Sequence, residues 1–301
     1  MQVCVLSGGV GGAKFVRGLV ETLGGGAVTA IVNVADDVEV LGMYVSPDLD
    51  SVVYALAGIH DDQRGWGRAD ETWHALESVR ALGGESWFML GDRDLGLHLV
   101  RTAALSGGEP LSAVTARIAR ALGISATLLP ATDERLRTFV QTPAGEFHFQ
   151  EWFVARRHRD EVESLRYEGD AHAAPGVLDA IAAADVLLLA PSNPYVSIAP
   201  ILHVPQIRDA IERRRVPCVA VSPLVGGRAV KGPADRMLRR LAGGTTPAYV
   251  ASCYPGLIDA LVVDESDDAT ELEVQAIVTR TLMTDEASRR RVVDAALSVP
   301  V

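Results

Sequence analysis

Residues 7–15 read Ser-Gly-Gly-Val-Gly-Gly-Ala-Lys-Phe and follow directly on the apolar run Val3-Cys4-Val5-Leu6. Glycines at positions 8, 9, 11 and 12 tolerate positive φ and let a ligand come close to the backbone. The helix expected next offers unpaired N–H groups and a partial positive charge, and Lys14 adds a full one. Gly8, Gly9, Gly11, Gly12 and Lys14 are therefore candidates to hold phosphate. The plainer reading is a tight strand-to-helix turn with a solvated lysine. The stretch is not a Walker A loop, and it departs from G-x-G-x-x-G as well.

Four aspartates, Asp36, Asp37, Asp48 and Asp50, fall within residues 33–50. Carboxylates held close raise one another's cost of ionisation, and a divalent cation relieves it. Mg²⁺ commonly uses only one or two protein carboxylates, which leaves another free to position or deprotonate a hydroxyl. Equally, aspartates form turns and cap helices, Asp50 in particular. In Gly91-Asp92-Arg93-Asp94, Arg93 can grip a phosphate or a carbonyl-rich ring, or close an ion pair with a neighbouring aspartate. His98 and Arg101 continue one helical face, either lining a site or facing solvent. The proline-rich loop 191–200 can preset Ser192, Asn193 and Ser197 as ligand donors, or serve only as a rigid connector. Lys231 and Gly232 are phosphate contacts or a turn.

These residues must be carried by elements, and the hydrophobic pattern names most of them. A strand at 2–6, a helix at 13–23 and a strand at 28–32 make a βαβ unit, hence a parallel sheet. A helical segment at 52–57, a helix at 71–82 and a short strand at 87–90 follow. Helical stretches at 95–105 and 111–122, split by Ser106-Gly107-Gly108-Glu109-Pro110, read as a hairpin inserted into the core. Strands are expected at 127–129, 138–142 and 146–154, the last two joined as a hairpin. Alternation then resumes, with strands at 186–190 and 218–221, helices at 176–183, 205–214 and 234–242, and a helical tail over 271–297. The expected fold is α/β, a Rossmann-like parallel sheet core (1–94 and 126–301) with a small helical insertion (95–125). Ligands of such sheets sit beyond the carboxyl ends of the strands, so the glycine loop and the loops after 190 and 221 face one crevice.

The 301-residue chain carries a net charge of -11, which argues against a broad nucleic-acid or membrane surface but not against a local anion site. No apolar stretch approaches the ~18 to 20 residues that cross a bilayer, and no secretion signal is visible. The three cysteines, Cys4, Cys218 and Cys253, have no metal-ligand spacing and suit buried thiols in a reducing cytoplasm. Neither an H-E-x-x-H metal motif nor a G-x-S-x-G elbow occurs. An NAD-dependent dehydrogenase is disfavoured by the glycine spacing and by the lack of an acidic residue closing the second strand at Val32-Asn33.

Taken together, "SGGVGGAKF", "NVADD", "SPDLDSVVYAL", "GWG", "WFMLGDRDLGLHLVRT", "LLPATDE", "HFQEWFV", "LLAPSNPYVSI" and "VKGPAD" closely resemble, in order and over nearly the full chain, the 2-phospho-L-lactate transferase family. These are the enzymes of deazaflavin coenzyme F-420 biosynthesis, including phosphoenolpyruvate transferases. The resemblance implies a Mg²⁺-dependent reaction in which the ribityl hydroxyl of the deazariboflavin Fo attacks a guanosine diphosphate-linked lactyl or enolpyruvyl donor and releases GMP. It implies small-molecule partners only and a cytoplasmic homodimer. It assigns Fo binding to Asp50 and Arg93. On these residues the diphosphate would lie over Gly8 to Gly12 with Lys14, Ser192 and Asn193, and Mg²⁺ would be held through Asp36 and Asp37. Asp50 and Asp37 are the candidate catalytic residues. The chain has Ser51 where many relatives have threonine, and Tyr195 where small aliphatic residues are common.

Overall fold

The computed structural model describes residues 1–299, so Pro300 and Val301 of the expected core lie outside the described residues. Along the chain the elements are β1 (Val3–Ser7), α1 (Gly9–Leu23), β2 (Val28–Val32), β3 (Val38–Val40), β4 (Met43–Val45), α2 (Pro47–Leu56), α3 (His74–Ala81), α4 (Asp92–Ser106) and α5 (Leu111–Ala121). Next come β5 (Thr127–Pro130), β6 (Arg137–Thr142), β7 (Gly145–His148), β8 (Ser164–Glu168), α6 (Val177–Ala183), β9 (Val186–Leu189), α7 (Ala199–Leu202) and α8 (Pro205–Glu212). The last are β10 (Cys218–Val221), β11 (Leu224–Val225), β12 (Arg228–Ala229), α9 (Ala234–Leu241), α10 (Pro247–Ala251), β13 (Ala260–Asp264), β14 (Gln275–Thr279) and α11 (Glu286–Ala296).

Seven strands form one sheet in the order β14-β13-β10-β9-β1-β2-β5, every pair parallel. Its inner strands are apolar at nearly every position because both faces are covered. Val3, Val5, Leu188 and Val219 enter one apolar layer with α1, α2 and α11. Cys4, Leu6, Leu187, Leu189 and Ala220 enter the opposite layer with α6, α8 and α9. From β1 the chain winds outward through β2 to β5, and from β9 it winds the other way to β14. The reversal between β1 and β9 is a topological switch point, and the loops leaving those two strands diverge to leave a crevice. The architecture is therefore the Rossmann-like α/β arrangement expected, with one strand beyond six.

Several elements differ from the sequence reading. Residues 87–90 form no strand; this short apolar run lines a cleft, and periodicity cannot separate the two cases. The run 146–154 divides into β7 and a π-helical turn at Glu151–Ala155. The tail is not one helix, because β14 adds to the sheet edge before α11 begins at the Asp285 capping box. The helices expected over 95–125 form as α4 and α5. However, α5 buries Leu111, Val114 and Ile118 in the same layer as β1 and β2. It is thus the crossover that delivers the chain to β5. What stands apart from the main sheet is the antiparallel β7-β6-β8 sheet, with its own cluster of Val140, Phe149, Trp152 and Val162 packed on Val196 and Met237.

Candidate active site

A cleft of about 810 Å³ opens at the carboxyl ends of the central strands. Its walls come from Gly8–Gly11 after β1, Asp36 after β2, Pro191–Asn193 after β9, Ser222 and Pro223 after β10, and Thr281–Thr284 after β14. Helices α2 and α4 add Asp48, Asp50, Tyr54, Asp94 and His98. An aromatic wall of Trp66, Trp87, Phe88, Phe149 and Phe153 faces them.

The glycine stretch is shorter as a loop than its sequence suggests, since α1 already begins at Gly9. Gly9 sits at φ +65 and donates its N–H to Asp48 Oδ1 at 2.7 Å. The Gly8 N–H reaches Ser192 Oγ at 3.2 Å, and that hydroxyl donates back to the Gly8 carbonyl at 2.7 Å. Two of the N–H groups expected to face phosphate are thus satisfied within the protein. Gly11 and Gly12 serve close packing: a Cβ on Gly11 would meet the Pro191 carbonyl at 2.8 Å, and one on Gly12 would meet Ser7 Oγ and Ser192 Oγ at 2.5 and 2.6 Å. Gly12 does not reach the cleft. Ser192 is a strut that ties the β1 and β9 loops together, and Asn193 caps the turn at 194–198 by accepting from the Tyr195 N–H at 3.0 Å. Both still line the cleft, as does Lys14, whose Nζ donates to the Met283 carbonyl at 3.4 Å.

The aspartates divide by partner. Asp50, on the first turn of α2, receives both arms of the buried Arg101 guanidinium, one at 3.2 Å, and His98 Nδ1 lies 3.8 Å away. Asp48 accepts from Gly9 and, at 2.9 Å, from Asn33 Nδ2, but has no cationic partner. Burial pushes its carboxyl up to about 6 against those two hydrogen bonds. Asp94 is likewise pushed up to about 6 by burial, and it accepts from the Tyr54 hydroxyl. Asp36 and Asp37 are held well above the usual carboxylate range, by burial first and, for Asp36, then by the Asp48 charge. Each keeps a buried Oδ1 without a hydrogen-bond partner.

Those orphaned oxygens are the observation against which a metal is tested. Among the described residues no three histidine, cysteine, aspartate or glutamate side chains converge on one point. A closed protein cage is therefore not offered. The residues do fit Mg²⁺, which is content with one or two carboxylates when phosphate oxygens and water complete its shell. Of the expected pair, Asp36 faces the cleft, while Asp37 turns toward Ser46, whose Oγ donates to it at 2.6 Å. Asp48 is the second carboxylate beside Asp36 in the cleft wall.

Arg93 is not brought to the cleft. Its guanidinium is half-exposed and lies 3.8 Å from Asp70, because α4 starts at Asp92 and turns 94, 98 and 101 inward while 93 faces out. The family resemblance assigned Arg93 to Fo, while the residues alone also allowed the ion pair with an aspartate that is seen here with Asp70. Asp94, Tyr54 and the aromatic wall were not assigned to the site, whereas Lys231 and Gly232, read as phosphate contacts or a turn, do line it. The spacing of 94, 98 and 101 on one helical face was the available signal for Asp94.

A family model described as 2-phospho-L-lactate transferase CofD matches residues 3–297. A phosphoenolpyruvate transferase of Streptomyces griseus is 44% identical over 284 residues, covering 92% of this chain and 89% of that protein. One from Streptomyces coelicolor is 44% identical over 298 residues, with 95% and 93% covered. One from Mycolicibacterium smegmatis is 41% identical over 322 residues, with 99% and 98% covered. A crystal structure of a UPF0052 family member from Bacillus halodurans superposes with TM-score 0.65 at 20% identity, covering 99% of each chain, and speaks for the fold alone.

Proposed function

The chain belongs to the 2-phospho-L-lactate transferase family, and on that premise we propose that it joins a phosphoenolpyruvyl or 2-phospho-L-lactyl group to the ribityl hydroxyl of Fo. The donor is the guanosine diphosphate-linked acid. The hydroxyl oxygen bonds to the phosphorus bearing the acid, the bond from that phosphorus to the bridging oxygen of GMP breaks, and the hydroxyl proton passes to a cleft carboxylate. The product is the phosphodiester of coenzyme F-420 or its dehydro precursor, and the enzyme acts as a homodimer.

The observation that carries this reading is one cleft that holds both signs of charge and a flat apolar lining. Asp36, Asp48, Asp50 and Asp94 line it, Asp50 being ion-paired to Arg101, and so do Lys14 and Lys231. The aromatic residues that also line it suit a flat ring system such as the deazaflavin. Magnesium at Asp36 and Asp48, with Asp37 behind them, would supply charge neutralisation at the transferring phosphoryl group. Asp50, fixed by Arg101 and His98, orients the attacking hydroxyl as a hydrogen-bond acceptor. Asp94, pushed up to about 6, is suited to take the proton near neutral pH.

The intrinsic fluorescence of the deazaflavin gives a binding readout independent of turnover. Asp50→Asn is expected to retain Fo binding within a few-fold and to lower turnover by about a hundredfold or more. Undiminished turnover in Asp50→Asn removes the assigned role.

A further inference from the structure

Of the 28 basic residues in this chain only two are lysines, Lys14 and Lys231. Both line the same cleft, where Arg157 is the only arginine among the described residues. Neither lysine has a carboxylate within ion-pair distance among the described residues, although the molecule is strongly acidic. Lys14 Nζ rests on the Met283 carbonyl, and Lys231 Nζ on the carbonyls of Gly65 at 3.0 Å and Arg64 at 3.5 Å. Two ammonium groups without counterions, held by neutral oxygens at the wall of one cleft, are poised for an anion that neither meets in the free protein. Burial and the Lys14 charge both lower the affinity of Lys231 for its proton, as expected of cations that share a site.

The perch that Lys231 occupies is itself well formed. Asp61 accepts from the Gln63 and Arg64 N–H groups at 2.9 and 2.8 Å and from Arg64 Nε at 2.7 Å. The Arg64 guanidinium lies 5.1 Å from the rings of both Trp66 and Trp73. Gly65, at φ +71, leaves open the space that the ammonium enters, for a Cβ there would overlap it. The segment that carries Lys231 is glycine-hinged by contrast, with Gly226, Gly227 and Gly232 all at positive φ. The loop 61–67 is thus held by its own contacts and not by the lysine alone.

We propose that Lys231 and Lys14 form a two-point clamp on the phosphate-bearing end of the substrate, Lys231 leaving the 61–67 loop to close it. This deepens the transferase reading and rests on it for the identity of the substrate, but not for its test. Because the chain has only two lysines, reductive ¹³C-methylation of the intact protein gives two side-chain resonances plus that of the N-terminal amine, which sits by Asp185 and serves as an internal control. Lys14→Arg and Lys231→Arg assign them. Titration with inorganic pyrophosphate, with and without Mg²⁺, is expected to shift both lysine resonances along one binding curve and leave the N-terminal signal unchanged. Lys231→Met is expected to weaken pyrophosphate about tenfold or more, and Lys231→Arg to recover part of the loss. A Lys231 resonance that stays put while that of Lys14 moves overturns the clamp, as does pyrophosphate binding unaltered in Lys231→Met. If both resonances shift while the protein turns over no donor, the clamp stands and the transferase reading falls.

Discussion

Asp48 and Asp94 carry much of the electrostatic tension in the cleft, and it has a measurable sign. Burial lifts each from the ordinary carboxyl value to about 6. An acid that binds its proton more tightly when folded favours the native state fully below its unfolded pKa, and that benefit is lost as pH rises through the folded pKa. These two carboxyls therefore favour the folded protein more at pH 5 than at pH 7.5, whereas His60, His98, His148 and His158, whose affinity for the proton burial lowers, act in the opposite sense over the same window. Asp94→Asn, which keeps an acceptor for the Tyr54 hydroxyl, isolates one carboxyl and is expected to raise unfolding free energy in urea at pH 7.5 by on the order of 1–3 kcal/mol, with a smaller gain at pH 5. A difference between Asp94→Asn and the unaltered protein that is the same at both pH values contradicts the assignment. At this scale the sequence was informative where residue type alone limits the role. The glycine turn, the aspartate cluster and the Ser192-Asn193 pair all reach the cleft region. It was uninformative about partners: nothing in the spelling of Asp50 says that Arg101, fifty-one positions on, will neutralise it.

Elements decide which of those side chains meet, and the contact between α1 and the loop after β9 is a tight one at the cleft. Gly12→Ala would press a methyl against Ser7 Oγ and Ser192 Oγ and push the two loops apart, at a cost of about 1–3 kcal/mol. Gly26→Ala, at a glycine with negative φ and nothing within 4 Å, is the matched control and should be near neutral. Equal effects of the two substitutions on thermal unfolding would remove the packing explanation. Strands buried on both faces, such as 186–189 and 218–221, were legible as continuous apolar runs. Residues 87–90 have the same look but end at the cleft rim, where exposure to a ligand replaces burial in a sheet. Arg93 lies outside the cleft and Asp94 inside it because α4 begins three residues before the expected start, a boundary that local pattern fixes poorly. The edge strand β14 is exposed at alternate positions and flanked by charge, so its sequence resembled the helix that follows.

For the whole molecule, the strand order turns scattered loops into one site. Motifs at 8–12, 36–50, 191–197 and 222–232 converge because β1 and β9 are neighbours from which the chain winds in opposite directions. That convergence was inferable from βαβ alternation. The extension to β14 was not, nor was the way the β7-β6-β8 sheet swings Phe149 and Phe153 into the cleft wall, since both depend on contacts distant in sequence. On this reading the cleft performs a transfer and does not merely bind. The direct measurement is mass spectrometry of the purified protein incubated with Fo, Mg²⁺ and, in parallel, the guanosine diphosphate-linked enolpyruvate and lactate donors. The expected result is release of GMP together with a phosphodiester of Fo from at least one donor, the faster one identifying the acid. Saturable binding of Fo and nucleotide with no GMP released from either donor would contradict it and leave a nucleotide-binding protein on a transferase scaffold.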